Sequence, residues 1–352
     1  MSMRNSAQTG SPEMMVVMRA SASAEEVAHI VGLIEESGGG AHVTEDGDAT
    51  VIGAIGERAQ IAVLPLEGLP GVDQVLSLRK PYKWVSREFS RTDTVVDVLG
   101  HRIGGGAFMM LAGPCSVESY AQTLESAQAC KAAGVSVIRG GAYKPRSSPY
   151  AFQGLGLAAL EILAQVREDT GLPVATELMD ARDLEAVYDH VDLIWIGARN
   201  MQNFNLLSEI GKIDKPVMLK RGMSATVEEL LMAAEYVAKE GNERIILCER
   251  GIRTFERSTR FTLDIGAIPV LKAETHLPVI VDPSHAAGKR QLVAPLALAA
   301  VAAGADGLIV ETHPNPEHAL SDAAQQIPSA QFASFVHEVE SYLAVAGKTL
   351  SR

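Results

Sequence analysis

Residues 139–156 read RGGAYKPRSSPYAFQGLG, and the interpretation of the whole chain starts from this stretch. It follows a strand-like apolar run at 135–138 and precedes a segment with helical spacing. Pro145 has a fixed φ and no N–H, so Lys144 and Arg146 project from a stiff turn. Fixed cations suit phosphate or carboxylate groups, and the two serines that follow add hydroxyl donors. The stretch therefore predicts an anion-binding loop after a strand, although an isolated K-P-R tripeptide is more often a solvated basic loop.

The strand before this loop is one of eight short apolar segments, which alternate with amphipathic helices such as Glu228–Lys239. The eight segments are 108–112, 135–139, 174–177, 193–197, 217–220, 245–248, 279–282 and 307–311. Eight such units in about 245 residues predict an α/β fold, a (β/α)8 TIM barrel. An open doubly wound sheet would show fewer units and a glycine-rich dinucleotide turn, which the sequence lacks.

A smaller module precedes the barrel. Its pattern is a strand at 14–18, a helix at 24–36, strands at 41–44 and 50–55, a helix at 57–66 and a strand at 72–78. The signal for a hairpin turn is Asp46-Gly47-Asp48. This βαββαβ order predicts a ferredoxin-like domain. A module of this kind either binds a regulatory ligand or partner or serves only as a structural appendage.

These patterns divide the chain into four parts. We predict a disordered N-terminus at 1–13, the ferredoxin-like domain at 14–80, a linker at 81–94 and the catalytic barrel at 95–352, which opens with a hairpin at 95–106.

The composition favours a cytoplasmic enzyme. The chain has 352 residues, 47% of them hydrophobic, and a net charge of −12. An acidic chain is a poor ligand for nucleic acid or for an anionic membrane surface, so clustered cations more often serve small anions. Three cysteines argue against a disulfide framework, and the polar N-terminus lacks the apolar core of a signal peptide.

Residues with reactive or charged side chains follow every predicted barrel strand. In chain order they are Cys115, Arg139 with Lys144, Glu177, Arg199, Lys220 with Arg221, Glu249 with Arg250, His285, and Glu311 with His313. The carboxyl ends of barrel strands meet at one mouth, where active sites lie. Solvated surface charges would be spread evenly, so this distribution favours a functional site.

One subset has the chemistry of a metal site. It comprises Cys115, His285, Glu311 and Asp322. A thiolate, an imidazole and two carboxylates suit a divalent transition metal with an open position better than a closed structural zinc. Taken singly, Cys115 is more often a buried small residue, His285 a loop histidine and Asp322 a helix cap. The spacing alone leaves both interpretations open.

A second subset is cationic. It comprises Arg139, Lys144, Arg146, Arg199, Lys220, Arg221, Arg250 and Lys289. So many positive charges in one mouth would repel each other unless anions neutralise them. We therefore expect substrates that carry at least two anionic groups.

Seven segments that carry these residues resemble a known family. They are LAGPCSVES (111–119), RGGAYKPRSSPYAFQGLG (139–156), IGARN (196–200), LKRG (219–222), CERG (248–251), DPSHAAGKR (282–290) and VETHPNP (310–316). In this order they are similar to 3-deoxy-D-arabino-heptulosonate 7-phosphate (DAHP) synthase of type I beta, which has an N-terminal ferredoxin-like regulatory domain. The resemblance extends from about Met14 to the end of the chain.

The resemblance implies a reaction and its ligands. The family condenses phosphoenolpyruvate with erythrose 4-phosphate in the first step of the shikimate pathway, and it needs a divalent metal. Mn²⁺ is our first expectation, with Co²⁺, Fe²⁺ or Zn²⁺ as alternatives. The resemblance also implies feedback inhibition by tyrosine or phenylalanine at a domain or subunit interface, and a homotetramer.

The resemblance further implies a role for each matching position. Cys115, His285, Glu311 and Asp322 match the metal ligands. Arg139 and Lys144 match the groups on the phosphoenolpyruvate carboxylate, and Arg199, Lys220, Arg250 and the N–H of Ala198 match those on its phosphate. Arg146 and Ser147 match the site for the phosphate of erythrose 4-phosphate.

Lys144 is our first choice for proton transfer. Crowding by Arg139 and Arg146 is expected to lower its pKa. Glu177 and His313 are further candidates, and Glu177 is alternatively a residue that only orients a neighbouring cation.

Three other functions compete with this one. The nearest is 3-deoxy-manno-octulosonate 8-phosphate synthase, which typically has K-A-N-R in place of K-P-R and lacks the N-terminal module. A second is a non-catalytic sensor that uses the barrel only as a scaffold. A third is a Schiff-base aldolase that uses Lys220.

Overall fold

The structure, a computed structural model, describes residues 12–46, 49–56, 61, 64–77, 80–146 and 148–352. Its first part is a four-stranded antiparallel sheet in the order β2-β3-β1-β4. The strands are β1 (Pro12–Met18), β2 (Gly40–Asp46), β3 (Ala49–Ile55) and β4 (Val72–Ser77). Helix α1 (Ala24–Glu36) begins at Ser23, which forms a capping box with Glu26. Its buried residues Ile30 and Ile34 pack against the sheet.

This element order confirms the ferredoxin-like module. β1 begins at Pro12, inside the segment predicted to be disordered, because Pro12 and Met14 pair with Ile55 and Ala54 of β3. Most of the helix predicted at 57–66 and the centre of the predicted hairpin turn, 47–48, lie outside the described residues.

A short hairpin, β5 (Val96–Val98) and β6 (His101–Ile103), leads into the barrel, as predicted. The barrel strands are β7 (Ala107–Gly113), β8 (Val137–Arg139), β9 (Val174–Leu178), β10 (Leu193–Ile196), β11 (Val217–Lys220), β12 (Ile245–Glu249), β13 (Val279–Val281) and β14 (Gly307–His313). All eight are parallel, and pairing of β14 with β7 closes the ring. Two short strands, β15 (Ile327–Pro328) and β16 (Thr349–Leu350), pair with β14 and β7.

Helices connect the strands on the outside of the barrel. They are α2 (Tyr120–Ala132), α3 (Leu157–Thr170), α4 (Leu184–His190), α5 (Phe204–Gly211), α6 (Val227–Lys239), α7 (Ala267–Glu274), α8 (Pro283–Ala287), α9 (Val293–Ala302) and α10 (Ser329–Val345). The (β/α)8 barrel is therefore confirmed. None of the described helices has both the length and the apolar character needed to cross a bilayer.

The barrel interior is a packed core. Alternate residues of β7 point in opposite directions, so Met109 and Leu111 join the interior cluster while Phe108 and Met110 pack with the surrounding helices. Trp195 of β10 belongs to the same interior cluster. The hairpin contributes its buried valines and isoleucine to this cluster. Chemistry is therefore confined to the strand ends and the loops that follow them.

The segment predicted as a linker is packed rather than loose. Tyr82, Trp84, Val85 and Phe89 are buried. The backbone N–H groups of Trp84 and Val85 donate to the carboxylate of Glu235 on α6, at 3.0 and 3.2 Å. Its aromatic residues bury apolar area and so bind this segment to the barrel.

The same segment joins the N-terminal module to the barrel. The ring of His42 on β2 lies edge-on to Trp84 at 4.7 Å, and its Nε2 lies 3.1 Å from a carboxylate oxygen of Glu243. Glu243 precedes β12, at the amino end of the barrel strands. Within this chain the module therefore contacts the end of the barrel opposite the mouth.

Candidate active site

Three of the four predicted metal ligands converge at the barrel mouth. The ligand atoms of Cys115, Glu311 and Asp322 all lie within 4.8 Å of one another. They come from the loop after β7, from β14 and from the loop after β14. His285 lies beside them, with Nε2 at 3.5 Å from Glu311 Oε1 and 3.7 Å from Asp322 Oδ2. The structure thus brings together four residues that are up to 207 positions apart.

Asp282 sets the orientation of the His285 ring. Its Oδ2 lies 2.8 Å from His285 Nδ1, and its Oδ1 accepts the backbone N–H of His285 at 2.9 Å. With Nδ1–H donated to Asp282, the lone pair of Nε2 faces Glu311 and Asp322. Burial lowers the pKa of His285 more than Asp282 raises it, so the imidazole is neutral at pH 7. A neutral imidazole is the form that binds a metal.

The segment that carries Asp322 is held by side chains that the sequence did not single out. Gln325 Nε2 donates to Glu311 Oε2 at 2.7 Å, and Gln326 Oε1 accepts the N–H of Cys115 at 3.1 Å. Asp322 itself adopts a left-handed conformation, with φ of 46°. The two glutamines therefore fix both the loop and the side chains that it faces.

This donor set fits a divalent transition metal. One sulfur, one imidazole nitrogen and carboxylate oxygens are a mixed set of the kind such ions accept. Burial raises the pKa of the Cys115 thiol to about 12, so the thiol is neutral in the metal-free protein. A bound cation would deprotonate it, because a coordinating thiol loses its proton.

Two predicted substrate cations lie deep in the barrel over one aromatic ring. The Arg139 guanidinium lies 4.9 Å and the Lys220 ammonium 5.5 Å from the centre of the Trp195 ring. Arg139 also pairs with Glu311 at 3.0 Å, and Lys220 pairs with Asp282 at 2.7 Å. The carboxylates and the ring reduce the repulsion between the two cations.

The pKa of Lys144 is raised, so the prediction that it is lowered was wrong. Burial does lower it, but the sulfur of Cys115, 2.9 Å from Nζ, and the carboxylate of Glu311 raise it by more. The expected lowering took account of the neighbouring arginines only, whereas the Cys115 thiol and the Glu311 carboxylate also face the lysine. Lys144 therefore keeps its proton at neutral pH.

A cavity of about 360 Å³ opens above these residues. Among the predicted residues it is lined by Lys144, Arg146, Glu177, Ala198, Arg199, Arg250, His285 and Asp322. Glu177 reaches the cavity across Gly197, where any Cβ would lie 2.0 Å from the Glu177 carboxylate. The cavity therefore joins the metal-type ligands to a cationic wall, and one carboxylate faces it from β9.

Several predicted residues lie elsewhere. His313 is buried, and its ring is held between the N–H of Asn315 and the Glu118 carboxylate. The guanidinium of Arg221 is paired with Glu249 and Asp264 at 2.8 and 2.9 Å. Lys289 donates to the carbonyl of Ser258. None of the three is among the described residues that line the cavity, and Ser147 lies outside the described part of the chain.

Arg260 and Phe261 are among the residues that line the cavity without having been predicted as site residues. Arg260 lies 3.3 Å from Asp322 and donates to Gln325 at 2.9 Å, and Phe261 lies under the guanidinium of Arg250. Both come from the long loop between β12 and α7, which holds three more arginines and no regular element. Its length was the available signal, because long loops at a barrel mouth are commonly functional.

Two family models match the chain. The DAHP synthetase I family matches residues 89–345, and the DAHP synthase ferredoxin-like domain matches residues 14–80. Among curated proteins, the chain is 49% identical over 327 residues to a phospho-2-dehydro-3-deoxyheptonate aldolase of Thermotoga maritima. The alignment covers 93% of this chain and 97% of that protein. The chain is 34% identical over 254 residues to a 2-dehydro-3-deoxyphosphooctonate aldolase of Syntrophotalea carbinolica. That alignment covers 67% of this chain and 91% of that protein.

Solved structures agree with these matches. The crystal structure of DAHP synthase from Thermotoga maritima superposes with a TM-score of 0.76 at 47% identity, and covers 96% of this chain and 99% of that one. A truncated form of the same enzyme superposes with a TM-score of 0.71 at 49% identity, and covers 76% of this chain and 98% of that one.

The role of Asp282 can be tested by Asp282→Asn. The amide cannot hold His285 Nδ1–H and Lys220 as an anion does, so we expect the affinity for Mn²⁺ to fall about 10- to 100-fold. Isothermal titration calorimetry of the metal-free protein measures this. Asp306→Asn is the matched control, since Asp306 is also buried and ion-paired but precedes β14 at the other end of the barrel. Unchanged Mn²⁺ affinity in Asp282→Asn would contradict the assignment.

Proposed function

The chain belongs to the DAHP synthetase I family, and from that premise we propose how its barrel mouth performs the family's reaction. The enzyme condenses phosphoenolpyruvate with erythrose 4-phosphate to give DAHP and phosphate, the first step of the shikimate pathway. The observation that carries the proposal is the juxtaposition of a metal-type donor set with a cationic cavity wall in one mouth.

In this proposal the cations hold phosphoenolpyruvate by both of its anionic ends. Lys144 and Arg139 face its carboxylate, while Arg199, Lys220 and Arg250, with the N–H of Ala198, hold its phosphate. Guanidinium groups bind such anions through paired N–H donors. Arg146, on the stiff turn at Pro145, holds the phosphate of erythrose 4-phosphate. Binding both substrates at fixed points converts a two-body encounter into an oriented one.

Cys115, His285, Glu311 and Asp322 would hold a divalent cation, which supplies Lewis acidity at the aldehyde oxygen when bound. Mn²⁺ is our first choice, and Co²⁺, Fe²⁺ and Zn²⁺ also accept sulfur, nitrogen and oxygen ligands. The buried Arg139–Glu311 pair orients one of these carboxylates from behind.

The condensation joins C3 of phosphoenolpyruvate to the aldehyde carbon, and the aldehyde oxygen takes up a proton. Lys144 keeps its proton at neutral pH, which suits it to donate here rather than to act as a base. Water then adds to C2 and gives up a proton as the C2–O bond to phosphate breaks. Glu177 faces the cavity and is the second candidate for proton transfer, whereas the contact of His313 with Glu118 makes it the weakest.

The competing functions have less support. The match to the Syntrophotalea relative covers 67% of this chain. This chain has K-P-R in place of the K-A-N-R that is typical of octulosonate 8-phosphate synthases. It also has the N-terminal module, which those enzymes lack. A Schiff-base mechanism needs a free lysine, but Lys220 is buried in an ion pair with Asp282. A sensor without catalysis would not need a complete donor set beside a cationic cavity.

We further propose that tyrosine or phenylalanine inhibits the enzyme through the ferredoxin-like domain, and that the enzyme is a cytoplasmic homotetramer. The match of residues 14–80 to the family's ferredoxin-like domain supports the effector site. The need for a reduced Cys115 thiol supports the compartment.

Removal of metal by a chelator should abolish turnover, because the aldehyde then lacks its Lewis acid. Addition of Mn²⁺ should restore turnover. Phosphate release with both substrates measures this, with magnesium added back as a comparison ion. Full activity in protein shown by elemental analysis to be metal-free would remove the metal from the mechanism.

Arg146→Ala should raise the KM for erythrose 4-phosphate by at least about tenfold, because a charge-assisted hydrogen bond to its phosphate is lost. The KM for phosphoenolpyruvate should change far less. Steady-state kinetics with each substrate varied in turn measures both constants. Arg199→Ala is the matched variant, and it should show the reverse preference. Equal effects of Arg146→Ala on the two substrates would show that the phosphate assignment is wrong.

Deletion of residues 1–80 should leave catalysis intact and abolish inhibition by tyrosine and phenylalanine. The deletion ends before the segment 81–94, because Trp84 and Phe89 of that segment are buried. A truncated form of the Thermotoga enzyme, which covers 76% of this chain, has a solved structure, and this supports a shortened chain as a test protein. Initial rates at 1 mM effector, compared with the full chain, measure the effect. A truncated enzyme that is still inhibited would contradict this location.

A further inference from the structure

The guanidinium of Arg250 is a buried charge with an unusual environment. Arg250 is 6% exposed and follows β12 at the mouth of the barrel. Its Nη1 is buried without a hydrogen-bond partner, and within the described residues its side chain makes no ion pair. Its close contact is the ring of Phe261, 4.2 Å from the guanidinium carbon to the ring centre. A buried charge without a counter-ion is costly unless a ligand completes the site.

A nearby arginine shows the opposite arrangement. Arg221 follows the neighbouring strand β11, and its guanidinium is bound by Glu249 and Asp264, while its Nε donates to a backbone carbonyl. These contacts occupy its Nε and Nη1 donors and neutralise its charge. Arg221 therefore has little capacity left for a substrate anion, whereas Arg250 keeps its donors and its charge.

An aromatic ring can hold a guanidinium without competing with an anion. The ring contacts the flat face of the guanidinium, whereas all five N–H donors lie in its plane and point outward. A carboxylate partner would instead occupy those donors. Phe261 thus provides support from one side and leaves the donor edge free for phosphate.

The loop after β12 is built to bring this ring to Arg250. Ile252 and Thr262 exchange backbone hydrogen bonds at 2.9 and 3.0 Å, so the loop folds back on itself. The N–H of Phe261 donates to the carbonyl of Ala286, next to His285. Gly251 has a φ of 89°, and a Cβ there would lie 2.7 Å from Cβ of Phe261. The close approach of the ring therefore requires glycine beside Arg250.

From these contacts we infer that Phe261 is a positioning residue for phosphoenolpyruvate: its ring holds the Arg250 guanidinium so that the donor edge faces the substrate phosphate. The inference rests on the proposed function, which assigns Arg250 to that phosphate. It adds a residue that does not touch the reacting atoms and acts through the arginine.

The test compares variants of the full chain loaded with Mn²⁺. Phe261→Leu and Phe261→Met remove the ring but keep an apolar side chain, and each should raise the KM for phosphoenolpyruvate about tenfold, the range expected for a desolvated cation–π contact. The kcat and the KM for erythrose 4-phosphate should change less than about twofold. Phe261→Tyr keeps the ring and should retain the KM. Phe255→Leu, on the exposed part of the same loop, is the matched control and should change nothing.

A double-mutant cycle with Arg250→Ala distinguishes this inference from the function on which it rests. If the ring acts through Arg250, Phe261→Leu should add little to the effect of Arg250→Ala on the KM for phosphoenolpyruvate. Additive effects, equal loss with both substrates, or no rescue by Phe261→Tyr would overturn the role of the ring while Arg250 remains a phosphate ligand. If Arg250→Ala itself leaves this KM unchanged, the phosphate assignment fails and the inference fails with it. Two apolar variants guard against misfolding of one, and circular dichroism and thermal melting check each.

Discussion

The ion pair between Arg139 and Glu311 joins the two halves of the site. Its nitrogen and oxygen lie 3.0 Å apart, and both side chains are almost fully buried. Glu311 belongs to the metal-type donor set, and Arg139 belongs to the cationic set. Removal of one partner from such a pair commonly costs about 3–5 kcal/mol, because the other charge stays buried without compensation. The pair therefore links the geometry of one half to that of the other.

The remaining charges are arranged around this pair by the same rule. Asp282 holds His285 and Lys220, Gln325 holds Glu311, and Trp195 lies under Arg139 and Lys220. Arg221, which is paired with both Glu249 and Asp264, does not line the cavity. Arg250, whose side chain makes no ion pair within the described residues, does line it. Arg221 is thus neutralised within the protein, whereas the charge of Arg250 stays available to a substrate anion.

The N-terminal module contacts the barrel far from this site. Trp84 and Val85 are bound to Glu235 on α6, and His42 meets Glu243 before β12, at the amino ends of the strands. The mouth lies at the carboxyl ends. The contact of the module with the barrel therefore lies at the end opposite the cavity. Helix α6 physically connects this contact region with the cavity. Its Glu235 accepts the N–H groups of Trp84 and Val85, and the helix follows the loop that places Met223 in the cavity.

The sequence by itself determined the eight strands, the ferredoxin-like order of the module and the set of residues at the strand ends. Periodicity reports these directly, and a closed parallel barrel admits one common mouth for all eight carboxyl ends. Only the tertiary structure decided which of those residues face the cavity, because partners distant in sequence set the direction of each side chain. It reversed the expected pKa shift of Lys144 through contact with Cys115, assigned Arg221 and His313 to carboxylates, and brought Phe261 beneath Arg250. These outcomes depend on distances of a few ångströms between segments that are far apart in the sequence. Electrostatic interactions change sharply over such distances.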